Sequence, residues 1–180
     1  MPLPLGHTAI GLAAFETAGT DKDGRSRIGL LIYVAVLANL PDIDILFGLL
    51  IQGNGSAYHR GPTHSLLFAL LAGYLVTWMG RRWQRIPSLS FGVNTVLIFS
   101  HITADFFFTA APVSFLWPLE LNWSTGYHGW ADVLNMAVFQ SLQDILLAAA
   151  AGLYIVGMRF VRQKVSFIEN LFVFAKYRIK

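Results

Sequence analysis

The feature of this sequence that most constrains its fold is a series of long apolar segments separated by short polar connections. The segments run approximately over residues 4–19, 28–51, 63–80, 89–111 and 131–158. A helix needs about 20 apolar residues to cross the hydrocarbon core of a bilayer, and the last four segments approach or exceed that length. The pattern predicts an all-α, polytopic helical membrane protein with about four spanning helices. The first segment predicts a short N-terminal helix that could be re-entrant.

The composition supports a membrane protein and limits its chemistry. Hydrophobic residues make up 55% of the chain and charged residues 13%, whereas soluble domains carry about 25% charged residues. The formal charge of +3 comes from basic residues in short blocks beside apolar segments, so no nucleic-acid partner is expected. The chain has no cysteine, and a bound metal would therefore have only nitrogen and oxygen ligands.

The basic residues also predict the orientation of the chain in the membrane. All of them except Arg60, which lies in an opposite connection, occupy alternate connections, which the positive-inside rule places in the cytoplasm together with the C-terminus. These residues are Lys22, Arg25, Arg27, Arg81, Arg82, Arg85, Arg159, Arg162, Lys164, Lys176, Arg178 and Lys180. Residues 159–180 are predicted to form a basic amphipathic helix on the cytoplasmic surface, beyond a membrane-embedded domain of residues 1–158.

Histidine and aspartate residues are concentrated in three stretches within or beside the apolar segments. The stretches are Pro41-Asp42-Ile43-Asp44, His59-Arg60-Gly61-Pro62-Thr63-His64-Ser65 and Ser100-His101-Ile102-Thr103-Ala104-Asp105. Ionisable groups are costly inside a membrane, and a cluster of them calls for a compensating partner such as a metal ion. The predicted topology brings all three stretches and His7 toward the same side of the membrane.

His101 and Asp105 lie four residues apart, which places both on one face of a helix. They could hold one ion together, or Asp105 could orient the imidazole of His101. The alternative is a buried hydrogen bond that serves helix packing. For His7 alone, an interfacial or packed histidine is the ordinary interpretation.

The second stretch has a turn that could bring two imidazoles together. Pro62 suits the first turn of the helix that carries His64, and the Gly61-Pro62 corner could direct His59 and His64 toward one point. Alternatively, His59 lies near lipid headgroups and His64 simply begins a helix. Arg60 could bind a phosphate or anchor the chain at lipid headgroups.

Pro41 predicts a kink in the second apolar segment, because it removes a backbone donor from the helix. Asp42 and Asp44 would point apart on a regular helix, and a break would let both turn inward. The alternative is that the segment ends here and that one aspartate caps the next helix.

The ordered motifs of the chain resemble those of a known family over about residues 1–135. The matching motifs are Gly6-His7-Thr8, Asn39-Leu40-Pro41-Asp42-Ile43-Asp44, His59 to Ser65, Ser100-His101 through Asp105, and Leu116-Trp117-Pro118-Leu119. This set is similar to the LexA-regulated, membrane-bound, metal-dependent hydrolases of bacterial inner membranes. The resemblance implies an inner-membrane location and hydrolase activity. It implies the following metal or catalytic positions: His7, Asp42, Asp44, His59, His64, His101 and Asp105.

The leading hypothesis is a metal-dependent hydrolase that acts on a phosphoester of a lipid or lipid-linked substrate on the periplasmic side. The histidines and aspartates could hold one or two divalent ions, for which Zn²⁺ or Mn²⁺ fits best. Asp42 or Asp44 would act as base, and Arg60 would stabilise an anionic oxygen. Phe106-Phe107-Phe108 after Asp105 would make an apolar wall suited to acyl chains.

Two other functions use the same residues. A divalent-cation or proton transporter would also place histidine and aspartate in membrane helices, with Asp144 as a deeper step. A metal-independent hydrolase could use Ser65 or Ser100 with His101 and Asp105, but it would leave His59, His64 and the Asp42/Asp44 pair without a role.

Overall fold

The computed structural model describes residues 4–18, 27–83, 85–109, 111–119 and 140–178, and for 27, 140, 141 and 166–178 only the backbone. Within these residues the chain forms six α-helices and two single 3-10 turns. The helices are α1 (Pro4–Ala18), α2 (Arg27–Ala38), α3 (Ile43–Gln52), α4 (Leu66–Arg82), α5 (Phe91–Phe108) and α6 (Gln140–Arg178). The 3-10 turns are Leu40–Asp42 and Pro62–His64. The all-helical prediction agrees with this part of the chain.

The described helices provide fewer membrane spans than the sequence predicts. Two stretches are long and apolar enough to cross a bilayer, Phe91–Phe108 and Leu142–Val165, and a third exists if the bent pair α2 and α3 is one span. Within the described residues, the predicted number of about four spans is therefore not reached. The third apolar segment forms α4, which has only 17 residues and ends in two arginines. The first forms α1, a helix of 15 residues.

The predicted kink at Pro41 is confirmed. Helices α2 and α3 meet at an angle of 56° across the break, and Pro41 lies inside the intervening 3-10 turn. A proline ring clashes with the preceding turn of an α-helix and cannot donate its backbone hydrogen bond. The break turns the chain where Asp42 and Asp44 occur. Helix α3 then ends at Gly53, whose φ of 65° is the left-handed conformation that favours glycine.

Helix α5 is the centre of the packing, because α1, α2 and α4 all contact it. Its buried side chains recur at helical spacing and form one stripe: Asn94, Leu97, Ile98, His101, Ile102 and Asp105. Leu97, Ile98 and Ile102 belong to the apolar core with residues of α2 and α4. The helical period therefore places His101 and Asp105 on the same buried face as the core.

Helices α1 and α6 pack against each other and run in the same direction. Ile10 and Leu147 line one cavity, and further along both helices Thr17 and Tyr154 share a hydrogen bond of 2.8 Å. Five residues further along α6, Arg159 Nη2 donates to Oε2 of Glu16, the residue before Thr17, at 3.1 Å. Helix α6 passes through the predicted domain boundary after residue 158 as one continuous helix.

Several predicted features lie wholly or mostly outside the described residues. They are the polar connection that carries Lys22 and Arg25, most of the loop after Pro112, and residues 131–139 of the last apolar segment. In the predicted amphipathic tail, the backbone is helical to residue 178. The amphipathic pattern itself stays a prediction, since the side chains concerned are not described.

Candidate metal centre

All seven residues that the sequence singles out as metal positions lie in one cluster. They form three overlapping groups in which one ligand atom per residue lies within 4.8 Å of the others: His7/His101/Asp105, Asp42/His64/His101 and Asp44/His59/His64. The N-terminal helix α1, the Pro41 break, the stretch before α4 and helix α5 each contribute. Each group could hold a metal ion.

His101 is held in one orientation by the backbone of α2. Its Nδ1 lies 2.8 Å from the carbonyl oxygen of Ala38, and a carbonyl can only accept, so Nδ1 carries the hydrogen. In the neutral imidazole Nε2 then presents a lone pair, 3.2 Å from Asp42 Oδ1. The sequence allowed Asp105 as the partner that orients His101. That alternative is wrong, because the carbonyl of Ala38 takes this role.

His64 lies in the 3-10 turn before α4 and not on the helix itself, because the extended Ser65 begins α4 as its N-cap. Nδ1 of His64 faces Asp44 Oδ2 at 3.2 Å. Nε2 lies 3.6 Å from Asp42 Oδ1 and 3.6 Å from Asp105 Oδ2. Burial lowers the pKa of the imidazole, but the neighbouring carboxylates of Asp42 and Asp44 outweigh it and hold the pKa above its ordinary value.

His7 joins the cluster from the first turns of α1. Its ring stacks on that of His101 with centroids 3.7 Å apart and an interplanar angle of 18°. Nε2 lies 3.5 Å from Asp105 Oδ1, and both side chains are fully buried. One turn later, a Cβ on Gly11 would lie 2.5 Å from Cβ of Ala38. Glycine at this position therefore permits the close contact of α1 and α2 beside the cluster.

Arg60 connects two of the aspartates through both its backbone and its side chain. Its backbone N–H donates to Asp44 Oδ2 at 3.2 Å, and its Nε donates to Asp105 Oδ2 at 3.1 Å. Its φ of 66° is the left-handed conformation, which is costly for a side chain with a Cβ. Such strain often occurs at functional sites. Among the described residues, the terminal guanidinium nitrogens have no hydrogen-bond partner.

Asp44 is surrounded by hydrogen-bond donors. His59 Nδ1 lies 3.1 Å from Oδ1, and Thr63 Oγ1 donates to Oδ2 at 2.6 Å. The Arg60 amide also donates to Oδ2 at 3.2 Å, and His64 Nδ1 lies 3.2 Å from the same oxygen. Neither oxygen of Asp44 lacks a partner.

Several other buried atoms in the cluster lack a hydrogen-bond partner, unlike the two oxygens of Asp44. The following have no hydrogen-bond partner: both ring nitrogens of His7, Asp42 Oδ1, His59 Nε2, His64 Nε2, His101 Nε2 and Asp105 Oδ1. Lone pairs of neutral imidazoles that face carboxylate oxygens repel one another unless a proton or a cation lies between them. Leaving such a group buried and unsatisfied costs about 1–3 kcal/mol.

The distances between these atoms fit a metal site. Two ligand atoms bound to one zinc ion at about 2.0–2.1 Å in tetrahedral geometry lie about 3.3–3.4 Å apart. The observed pairs are separated by 3.2 Å for His101 and Asp42, 3.6 Å for His64 and Asp42, and 3.5 Å for His7 and Asp105. The donor set therefore fits a divalent ion with nitrogen and oxygen ligands.

Some supporting residues were not singled out from the sequence as functional. Asn39 Nδ2 donates to Thr8 Oγ1 at 3.0 Å, and so connects the residue after His7 to the Pro41 break. Thr63 contacts both Asp44 and His64. Thr8 and Thr63 are polar residues next to a predicted ligand, and Asn39 lies three residues before Asp42; this proximity is the signal that could have indicated them.

An apolar cavity of about 450 Å³ lies between α1, α5 and α6. Three of its lining residues carry hydroxyl groups, and each hydroxyl already has a protein partner: Ser100 donates to Leu97 O, Thr103 donates to Phe99 O, and Tyr154 pairs with Thr17. The remaining lining side chains are apolar. Along α5 the cavity extends from Val96 to Phe108, a rise of about 18 Å, and so it passes the level of His101 and Asp105.

Comparison with known proteins identifies the family of the chain. The model of the YdjM inner membrane protein family matches residues 1–175, and the chain belongs to this family. Inner membrane protein YbcI of Escherichia coli (strain K12) is 38% identical over 92 residues, which are 49% of this chain and 53% of that relative. The chain therefore spans about half the length of that curated relative. No solved structure matches the chain.

Proposed function

We propose that this member of the YdjM inner membrane protein family is a metal-dependent hydrolase whose substrate is a phosphoester of a membrane lipid or a lipid-linked molecule. The observation that carries the proposal is the set of buried nitrogen and oxygen atoms that face one another without hydrogen-bond donors. Buried groups of this kind are normally paired or bound to a metal. The cluster lies beside the membrane-spanning helices, where a lipid headgroup is the nearest phosphoester.

The residues that would hold the metal are those whose unpaired atoms lie at ligand spacing: His7, Asp42, His64, His101 and Asp105. Nitrogen and carboxylate ligands suit Zn²⁺ or Mn²⁺, and five such residues could serve one or two ions. When bound, such an ion lowers the pKa of water and neutralises charge on a phosphoryl oxygen.

The protein side chains have complementary roles in this proposal. The contact with Asp105 fixes the side chain of Arg60. Its positively charged guanidinium group is directed toward the cluster and binds an anionic phosphoryl oxygen there. A carboxylate oxygen that the metal leaves free, on Asp42 or Asp105, would accept a proton from the attacking water. Because the cluster is buried, these charges interact more strongly than they would in water.

The cavity beside the cluster supports a lipid substrate. Its hydroxyl groups are already paired, so its interior favours hydrocarbon over water. Its walls belong in part to the two candidate spans, α5 and α6, and the surrounding medium is therefore acyl chain. A volume of about 450 Å³ lies within the range of small-molecule sites.

The proposal places the cluster on the periplasmic side and the C-terminus in the cytoplasm. His7 lies at the start of α1, whereas Glu16 near its end pairs with Arg159. Arg81 and Arg82 lie at the end of α4, and His64 precedes its start. These three arginines are thus at the helix ends opposite the cluster, where Arg60 is the basic residue, and basic residues concentrate in the cytoplasm.

The other two functions have less support. In a transporter, Asp144 would bind the ion at a position deeper in the membrane than the cluster. The register of α1 against α6, however, puts Asp144 near the level of His7. For a serine hydrolase, both candidate hydroxyls donate to backbone carbonyls, Ser65 to Pro62 and Ser100 to Leu97. Neither makes the hydrogen bond to a histidine that would activate a serine nucleophile.

Metal analysis of detergent-purified protein tests the proposal. The wild type should retain tightly bound zinc or manganese after dialysis, and His64→Ala and Asp105→Ala should lose most of it. Asn94→Ala is the matched control, because Asn94 is equally buried on α5 but lies two turns from His101. If both cluster variants kept the full amount of metal, the assignment of ligands would be wrong.

Activity is tested with phospholipids and lipid-linked phosphates in mixed micelles, with and without a chelator. We expect release of a phosphorylated or dephosphorylated headgroup that the chelator abolishes and that Arg60→Ala reduces. Metal-loaded protein that hydrolyses none of these phosphoesters would refute the hydrolase assignment.

A further inference from the structure

We infer that Asp44 is a positioning residue which holds His59 and His64 in the Nδ1–H tautomer, whereas Asp42 binds the metal directly. The inference rests on the proposed function and divides the two aspartates of the Pro41-Asp42-Ile43-Asp44 stretch between two roles. Its basis is the difference between the hydrogen bonds that surround the two carboxylates.

Three hydrogen bonds hold the carboxylate of Asp44. Oδ2 accepts from the Arg60 amide at 3.2 Å and from Thr63 Oγ1 at 2.6 Å. Oδ1 accepts from His59 Nδ1 at 3.1 Å, and His64 Nδ1 lies 3.2 Å from Oδ2. An oxygen of a carboxylate has two lone-pair directions, so the Arg60 amide and the Thr63 hydroxyl already use both directions of Oδ2.

Asp42 has the opposite surroundings. Its Oδ1 is buried and has no hydrogen-bond donor. The ring nitrogen His101 Nε2 lies 3.2 Å away, but the Ala38 carbonyl fixes the hydrogen of that ring on Nδ1. Two atoms that can only accept therefore face each other, and a cation between them satisfies both.

The donors around Asp44 determine which nitrogens remain available. Thr63 Oγ1 uses its only hydrogen on Asp44, so its contact of 3.1 Å with His64 Nδ1 requires the hydrogen on the histidine. His64 Nε2 is then a lone pair that faces Asp42 and Asp105. Histidine ligands in metal sites usually donate their other ring hydrogen to a carboxylate or carbonyl in this way.

Asp44 thus positions His64 through the Thr63 hydroxyl, whereas the Ala38 carbonyl positions His101 directly. The two imidazoles reach the same carboxylate of Asp42 from different segments of the chain, each oriented by an acceptor on its Nδ1. Their shared tautomer gives the group Asp42/His64/His101 two nitrogen lone pairs and one carboxylate oxygen. The competing arrangement is an ion held by Asp44 itself with His59 and His64.

Imidazole nitrogen NMR on metal-free protein labelled at histidine tests the tautomer, at a pH high enough for neutral rings. We expect Nδ1–H signals for His59 and His64 in the wild type, and a shift of both toward Nε2–H in Asp44→Asn. Unchanged tautomers in this variant would overturn the inference. Because no metal is present, the result does not depend on hydrolase activity.

Cobalt substitution provides the second readout. Outer partners of metal ligands contribute about 10–100-fold to metal affinity, so Asp44→Asn should weaken Co²⁺ binding by about that factor with visible bands at unchanged wavelengths. Asp42→Asn, the matched variant two residues away, should shift the bands or abolish binding. A band shift in Asp44→Asn like that in Asp42→Asn would make Asp44 a ligand and overturn the inference.

A milder variant keeps the test decisive if Asp44→Asn does not fold. Thr63→Val preserves the shape of the side chain and removes one donor to Asp44 and one acceptor of His64. We expect Co²⁺ affinity to fall by about tenfold or less with unchanged bands. Shifted bands in Thr63→Val would contradict an outer, positioning role for this group.

Discussion

Removal of the Arg60 side chain should destabilise the metal-free protein much more than the metal-loaded protein. Arg60 Nε lies 3.1 Å from Asp105 Oδ2, with side-chain exposures of 12% and 0%. Breaking a buried ion pair costs about 3–5 kcal/mol, because the remaining charge stays buried without compensation. If a divalent cation neutralises Asp105, only a hydrogen bond to a charged group is lost, about 1.5–3 kcal/mol. Bound metal should therefore reduce the decrease in the free energy of unfolding by about 2 kcal/mol.

Two substitutions separate the side chain from its backbone strain. Arg60→Ala and Arg60→Gly both remove the guanidinium, but glycine adopts the φ of 66° without penalty. The glycine variant should thus be more stable than the alanine variant by about 1 kcal/mol, the lower end of the cost of a left-handed residue. Both variants should lose hydrolase activity to the same extent, since they lack the same cation.

Denaturant unfolding in detergent micelles, with saturating Zn²⁺ or with chelator, measures these differences. Arg82→Ala is the matched control, because Arg82 is an exposed arginine at the end of α4 and should change stability by less than about 0.5 kcal/mol. Equal destabilisation of Arg60→Ala with and without metal would refute the view that a cation compensates Asp105. A glycine variant no more stable than alanine would contradict the strained backbone.

Three further predictions concern the chemistry of the cluster and the cavity. Ser65→Ala should cost about 1 kcal/mol by loss of the α4 N-cap, and neither it nor Ser100→Ala should abolish metal-dependent hydrolysis, as activity assays on both variants would show. Metal should be released on acidification, because protons compete with the metal for the imidazole nitrogens. The raised pKa of His64 should make this release begin at a higher pH than for an ordinary histidine, and metal analysis after dialysis at a series of pH values measures it. Ala150→Trp, inside the cavity, should raise KM for a long-chain lipid substrate and spare a short-chain one, whereas Ala149→Trp, on the same helix outside the cavity, should change neither.

The chemistry of single residues predicted the break in the second apolar segment and the gathering of the polar stretches. Pro41 cannot continue a helix on local grounds, and the structure bends there. Ionisable histidines and aspartates are costly in apolar surroundings unless they have partners, and all seven lie together in one cluster. Both inferences depend on residue type and on burial in apolar sequence, which are visible without tertiary information.

The partners within the cluster could not be predicted, because tertiary packing determines them. The i, i+4 spacing of His101 and Asp105 suggested that Asp105 orients His101, but the hydrogen-bond partner of His101 Nδ1 is the carbonyl of Ala38. His64 was expected on a helix, and the extended backbone of Ser65 delays the helix by one turn. The number of spans was overestimated because hydropathy does not show where a helix such as α4 ends.

The origin of the cluster in four separate parts of the chain has a consequence for biosynthesis. His7 emerges from the ribosome first and Asp105 long afterwards, so a nascent chain that lacks α5 has only part of the donor set. If the cluster binds a metal ion as proposed, loading with the ion would report that insertion of the helices up to α5 is complete. The proposed hydrolase would then stay inactive in an unfinished chain, because the order of synthesis withholds part of its ligand set until the surrounding helices are assembled.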